Sequence, residues 1–240
     1  MKVNEIICGD CLEVMKDWPD NCVDLVLTDP PYGSGGRDGA VHLNDPKLIG
    51  NRISSETLIW FVRQYTAQFY RITKSHSHCY LFSDWRKYQI VKIAAESVGW
   101  ECRSLIVWDK GNGMGEFWRS THEFILFLTK QKPRKLQHGG CFNVLHHKPV
   151  RGKNKLHPAQ KPLSLIRELI VASTLEGEIV FDAFCGSGSF KEAAQLEKRN
   201  FLGIDISPKY CEIARQRLEA VDTVVPVKEQ KKGQIPMFPA

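Results

Sequence analysis

Val180-Phe181-Asp182-Ala183-Phe184-Cys185-Gly186-Ser187-Gly188 decides how this chain is read. It begins as an apolar run and ends as a glycine turn, and the residues that follow, to about 199, read as a helix. A strand that turns on small residues into a helix is the building unit of an open parallel α/β sheet. Glycines at 186 and 188 permit a tight turn and let a ligand approach the backbone with no side chain in the way. The next strand, over residues 201–204, ends in Asp205. A carboxylate in that place can accept hydrogen bonds from both hydroxyls of a ribose. A dinucleotide fingerprint needs a third small residue three positions after the second glycine, and Lys191 stands there. The turn therefore points to a nucleoside ligand without a pyrophosphate, and a nicotinamide dehydrogenase becomes a distant rival.

On either side the pattern alternates strand and helix. Residues 23–27 form an apolar run that enters Thr28-Asp29-Pro30-Pro31-Tyr32. Ser54 or Ser55 caps a helix with Leu58, Ile59, Val62, Tyr65, Phe69 and Ile72 at helical spacing. Strands are expected over 78–82, 102–108, 123–129 and 178–182, and helices over 85–98, 162–175 and from Pro208. The expected fold is α/β: a doubly wound, mostly parallel, Rossmann-like sheet with helices on both faces. Residues 130–158 show no sustained periodicity, and long excursions of that kind in compact domains are usually functional or disordered. From Val221 the chain turns polar and basic and reads as a flexible tail.

The 240 residues suit one large single-sheet domain. Their formal charge of +6 is uneven, because residues 124–167 contain ten Lys and Arg and no acid, which leaves 23 basic against 27 acidic elsewhere. A mildly acidic body with one basic segment points to a polyanion docking at one place. No apolar run approaches the roughly 18 residues of a membrane span, and residues 1–10 do not form a signal peptide. The eight cysteines are scattered, so reduced thiols and a cytoplasmic location are expected. Cys8 and Cys11 have no partner pair at zinc-ribbon distance, and no metal site is expected.

Asp29-Pro30-Pro31-Tyr32 is the second site. Two prolines fix φ and remove two backbone donors, so the carbonyls point where the chain forces them. A carboxylate, a fixed carbonyl and an aromatic ring together can accept both hydrogens of a planar amino group while the ring stacks on its heterocycle.

Together the two sites resemble those of the amino-methylating DNA methyltransferases. Gly9-Asp10-Cys11-Leu12, then Pro19 and Val23-Asp24, lead into the tetrapeptide as in that family. His157-Pro158-Ala159-Gln160-Lys161-Pro162 looks like the family's segment before the cofactor motif, and Phe184-Cys185-Gly186-Ser187-Gly188 looks like its F-x-G-x-G. Tetrapeptide first, basic excursion next and cofactor glycines last is the circularly permuted beta arrangement. Ser189 stands where threonine is common, and Asp205 where glutamate is common.

The resemblance implies S-adenosylmethionine as cofactor and a single methyltransferase domain over 1–220, with an inserted recognition segment at about 130–156 and the tail at 221–240. It implies a catalytic group of Asp29, Pro30, Pro31 and Tyr32, with Tyr32 stacking on a flipped base. It implies cofactor contacts from Phe181, Phe184, Cys185, Gly186, Ser187 and Gly188, with Asp205 on the ribose. Asp10 and Cys11 would lie by the adenine edge, with Asp29 adjoining the cofactor. Lys161 would lie near the methionine carboxylate, and Asp182 near its amino group. For double-stranded DNA the expected contacts are Lys132, Arg134, Lys135 and His138, then Asn143, Lys148, Arg151 and Lys153. Aspartate at the head of the tetrapeptide favours N6 of adenine over N4 of cytosine. RNA and protein amides are further rivals. A homodimer is expected, and the tail's Gln234-Ile235-Pro236-Met237-Phe238 resembles a sliding-clamp binding pentapeptide.

Overall fold

A computed structural model describes residues 1–31, 54–113, 116–150 and 160–223. Eight strands form one sheet in the order β1-β8-β7-β2-β3-β5-β4-β6. They are β1 (Glu5–Cys8), β2 (Val23–Thr28), β3 (Thr73–Ser83), β4 (Glu101–Asp109), β5 (His122–Thr129), β6 (Val144–His146), β7 (Ile179–Asp182) and β8 (Asn200–Asp205). The helices are α1 (Cys11–Lys16), α2 (Ser55–Ile72), α3 (Tyr88–Glu96), α4 (Leu163–Ser173), α5 (Ser189–Leu196) and α6 (Pro208–Thr223). Neighbouring strands are parallel except where β5 meets β3 and β4. This is a doubly wound, mostly parallel α/β fold.

Both faces of the sheet are covered, and the alternation within strands shows how. In β2, Val23 and Val26 pack into the layer of α1, α2 and α3, while Leu25 and Leu27 pack into that of α4, α5 and α6. All six residues of β2 are buried, as expected for a central parallel strand. Asp24 is tolerated there because Lys74 donates to it at 2.8 Å and the Ile179 amide at 3.0 Å. Helix α2 starts where its sequence requires, with Ser54 Oγ accepting from the Thr57 amide, and it buries Leu58, Phe61, Val62, Tyr65, Phe69 and Ile72.

Some boundaries differ from the sequence reading for identifiable reasons. Asp84 takes the Arg86 and Lys87 amides on its carboxylate, which makes a turn and delays α3 to Tyr88. Strand β3 starts at Thr73 although its first residues, Thr-Lys-Ser-His-Ser, carry no apolar signal. Strand β6 has three residues at the sheet edge, too few to show a period. The tail beyond Thr223 lies outside the described residues.

Candidate active site

Strands β7 and β2 lie side by side, and the chain winds away from them in both directions. Their carboxyl ends are the topological switch point, where open α/β sheets bind ligands. The two ends are tied together: Thr28 Oγ1 donates to Asp182 Oδ1 at 2.7 Å, and the Phe184 amide donates to the same oxygen at 3.1 Å. The other oxygen of Asp182 faces Lys191 Nζ at 3.3 Å, with both side chains 1% exposed. Burial lowers the Lys191 pKa, which the Asp182 carboxylate opposes. Asp182, expected near a methionine amino group, is buried here and holds Thr28, the Phe184 amide and Lys191. Phe181, expected to contact the cofactor, is a core residue set edge-on to Trp18 and Phe69.

The glycine turn is built for close approach. Gly186 and Gly188 have φ of 47° and 83°, in the left-handed region. A Cβ at 188 would lie 2.9 Å from Ala214 Cβ on α6. Asp205, half-buried at the end of β8, accepts the Gly186 amide on one oxygen at 2.7 Å and the Ser207 amide on the other at 2.9 Å. Each oxygen keeps a lone pair for a ligand hydroxyl. Strand β1 pairs Cys8 with Asp205, which brings Asp10 to the same edge, where it caps α1 by accepting the Leu12 amide at 2.8 Å. Phe184 packs edge-on to Phe61 and Tyr65, and Cys11, Cys185 and Ser187 are buried. Arg217 of α6 reaches under the turn to Glu192, the Ser187 carbonyl and the Ser189 hydroxyl.

At the end of β2 stands Asp29, its side chain 13% exposed, followed by buried Pro30 and half-buried Pro31. Lys161 Nζ donates to Asp29 Oδ2 at 2.5 Å and lies 3.2 Å from Glu123 Oε2 and 5.0 Å from the Phe82 ring centre. Lys110 Nζ donates to the other Glu123 oxygen at 3.2 Å. Asp29 Oδ1 is buried and accepts no hydrogen bond from the described residues. Burial pushes the Asp29 carboxyl up to about 6 against the pull of Lys161, with Glu123 adding to the rise. The site thus offers a desolvated acceptor at a fixed position, beside a cofactor-type turn.

Lys161 is accordingly placed on Asp29 and Glu123, a different setting from the cofactor carboxylate expected for it. Glu123 and Lys110 were missed. Only the antiparallel direction of β5 shows that the first residues of that strand come to the catalytic edge. The basic segment divides. The Lys130 and Arg134 amides donate to the Ser77 and His76 carbonyls, at the opposite edge of the sheet. An eight-residue strand, β5, separates that edge from Glu123, roughly 25 Å at strand rise. Arg134, expected at a base edge, is held there by a bidentate pair with Glu178 and by the Ser173 carbonyl. Lys132, Lys135 and His138 are exposed on that part of the chain, far from Asp29. Asn143 and Lys148 flank β6, whose end lies at the catalytic edge beside Asp109. Tyr32, Arg151 and Lys153 lie outside the described residues, as does the segment 157–159.

A parallel sheet with a nucleoside-type turn on one strand end and a proline-fixed carboxylate on the next defines a methyltransferase of the open α/β class. Residues 23–216 match the N6_N4_Mtase family, described as DNA methylase, and the chain belongs to it. The type II methyltransferase M.HpaI of Haemophilus parainfluenzae is 30% identical over 90% of this chain and 74% of its own length. The putative methylase YubD of Escherichia coli K12 is 30% identical over 91% and 92%. Among solved structures, the M1.HpyAVI–SAM complex superposes with a TM-score of 0.69 at 25% identity, over 89% of this chain and 98% of that one. PvuII DNA methyltransferase, cytosine-N4-specific, shares the fold with a TM-score of 0.72 at 15% identity, over 95% and 93%. Among the described residues no helix is long and apolar enough to cross a membrane, and no cluster of His, Cys, Asp or Glu suits a metal ion.

Proposed function

We propose that this DNA methyltransferase moves a methyl group from S-adenosylmethionine to the N6 amino group of adenine in double-stranded DNA, with the base flipped out of the helix. The observation that carries the reading is the buried Asp29 carboxylate with Oδ2 held by Lys161 and Oδ1 open. An adenine amine is a weak nucleophile, because its lone pair is delocalised into the ring. Oδ1 and the Pro30 carbonyl accept its two N–H groups and draw the nitrogen towards tetrahedral geometry, and Oδ1 is placed to take the proton that the nitrogen sheds. Positioning and preorganised charge carry such a step without a covalent enzyme intermediate. Tyr32 stacks on the flipped ring.

The cofactor fits the turn. Asp205 keeps acceptor capacity for two hydroxyls, Gly186 and Gly188 leave no side chain in the way, and Asp10 with the Cys11 backbone offers partners for a nucleobase edge. When bound, S-adenosylmethionine supplies an electrophilic methyl group on sulfur. Aspartate at the head of the tetrapeptide supports adenine over cytosine. Phe117 and Trp118, fully exposed beside Arg119 between β4 and β5, support a duplex lying along the catalytic edge, where aromatic rings can stack on bases. Labelled methyl transfer to plasmid DNA followed by base analysis tests the reading. N6-methyladenine is expected; N4-methylcytosine would change the base, and absence of both would overturn the function. Loss of cofactor binding by calorimetry in a folded Asp205→Ala protein is expected, and unchanged affinity would defeat that assignment.

Two partners belong to the same reading. The short recognition segment supports a homodimer, which sedimentation tests. Gln234 to Phe238 would dock in the hydrophobic groove of a bacterial sliding clamp. Deleting the last seven residues should abolish clamp pull-down and spare transfer to short oligonucleotides, and no pull-down by the intact protein would end the proposal.

A further inference from the structure

Glu123 reaches the catalytic edge from the opposite chain direction to Asp29, because β5 runs against β3 and β4. Its side chain is largely buried, and its two oxygens are divided between two lysines, Lys110 at 3.2 Å and Lys161 at 3.2 Å. Lys161, only 4% exposed, thus stands between two carboxylates, 2.5 Å from the Asp29 oxygen, with the Phe82 ring on a further side. The charges alternate along one row: Lys110, Glu123, Lys161, Asp29.

A lysine ammonium is a compact charge on a flexible stem, with three donors and no preferred plane. A single carboxylate would leave it free to straddle both oxygens of Asp29. Glu123 limits that freedom by drawing the same ammonium to a second carboxylate, 3.2 Å away. Oδ2 then carries the lysine and Oδ1 stays open.

We propose that Glu123 is a positioning residue for methyl transfer, acting through Lys161 to hold Asp29 with Oδ2 engaged and Oδ1 presented to the substrate amine. This rests on the reading of Asp29 as the amine's acceptor. The groups that face Asp29 are Lys161 before α4, Glu123 of β5, Asp182 at the end of β7 and Tyr65 of α2. Lys110 stands behind Glu123, and Lys191 behind Asp182. Glu123 raises the affinity of Asp29 for a proton and Lys161 lowers it.

Opposite replacements therefore act in opposite directions. Glu123→Gln keeps the shape and one acceptor but removes the charge. It is expected to lower kcat about tenfold, the scale of one misplaced preorganised group, with KM for DNA within about twofold. In the protein without cofactor, a carbon-13 titration of the Asp29 carboxyl should move to lower pH in Glu123→Gln and to higher pH in Lys161→Met. Glu123→Asp, which restores the charge one methylene short, should recover part of the rate and return the titration towards the parent value. An unchanged kcat in Glu123→Gln overturns the proposal. A loss of rate that follows lost thermal stability, with the Asp29 titration unmoved and no recovery in Glu123→Asp, also overturns it, since that is the behaviour of a structural ion pair. Asp29→Ala, which removes the acceptor, separates the two readings. If it keeps full transfer, Asp29 is not the acceptor; if it abolishes transfer while Glu123→Gln is silent, only the role of Glu123 fails.

Discussion

At the edge where the parallel strands begin, Arg134 lays both terminal nitrogens on Glu178 and one of them on the Ser173 carbonyl. Nearby, His78 shares Ser173 with Tyr80, and Lys130 is held by Asn21 and the Thr73 carbonyl. At the edge where those strands end, Asp29 is also largely buried but keeps one oxygen without a partner among the described residues. Buried polar groups stabilise a fold when they are satisfied and cost free energy when they are not. The first arrangement fastens loop, helix and strand together with every acceptor filled, leaving a single donor, Arg134 Nε, without a partner among the described residues. The second leaves an acceptor open at a cost to the folded chain, which is the expected sign of a place that a ligand completes.

The comparison breaks most sharply at Asp29. Asp29→Ala should reduce methyl transfer by about 10²–10³-fold, the scale of removing one preorganised group from a developing charge, with the unfolding temperature unchanged or raised. Transfer assays and thermal unfolding on the same preparation check this, and a variant that keeps full activity would place the chemistry elsewhere. Arg134→Ala should do the reverse. It leaves Glu178 without its main partner and should cost about 1–3 kcal/mol of stability, with kcat unchanged at temperatures where the protein stays folded. Urea unfolding measures it; a fall in kcat without a fall in stability would move Arg134 into the working part of the molecule.

How far the sequence reaches follows the same division. Strand β2, the glycine turn and the stripe on α2 are local patterns, and each is legible as period, turn chemistry or cap. The placing of Asp205 at the glycine turn is almost as local, since one helix separates the strand ends. The row from Lys110 to Asp29 is not local, because its four members come from four separate stretches of the chain. Only the reversed direction of β5 brings Glu123 to the catalytic edge. The same topology divides the basic segment: the acid-free run looks like one patch on paper, yet β5 delivers its first basic residues, Lys130 to Arg134, to the far edge. Asp182 shows another limit. A carboxylate at a strand end reads as a ligand contact, and nothing local in the sequence shows that Thr28 and Lys191 also hold it.

A change of pH sharpens the contrast because both edges titrate in one range. Burial raises the Asp29 carboxyl to about 6, so it is an anion above that pH and binds a proton below it. Methyl transfer should therefore fall as pH drops through about 6, and Asp29→Asn should show no such limb. At the far edge burial lowers the His78 pKa, so the folded protein holds that ring neutral. The unfolded chain binds the proton more readily, so stability is lost as pH falls below about 6.5, and little changes above it. Replacing His78 with Gln should flatten that part of the stability profile and leave the activity limb in place. An activity limb that moves with His78→Gln would show the two edges to be coupled.

The smallest effect concerns the surface charges, and it decides which edge faces the duplex. Each phosphate contact neutralised by a lysine contributes about 0.9 to the slope of log K against log salt. Lys148, exposed just past β6, stands at the catalytic edge, while Lys132, equally exposed, leaves β5 at the far one. A duplex whose flipped base reaches Asp29 passes the first and not the second, so Lys148→Ala should lower the slope by about 1 and Lys132→Ala should not change it. Steering by net charge would instead give two equal, slight changes, since the variants lose the same charge. Fluorescence anisotropy with one oligonucleotide across a salt series distinguishes these outcomes. An equal fall of about 1 in both slopes would mean that DNA wraps the sheet from edge to edge, and the far edge would then have a working role after all.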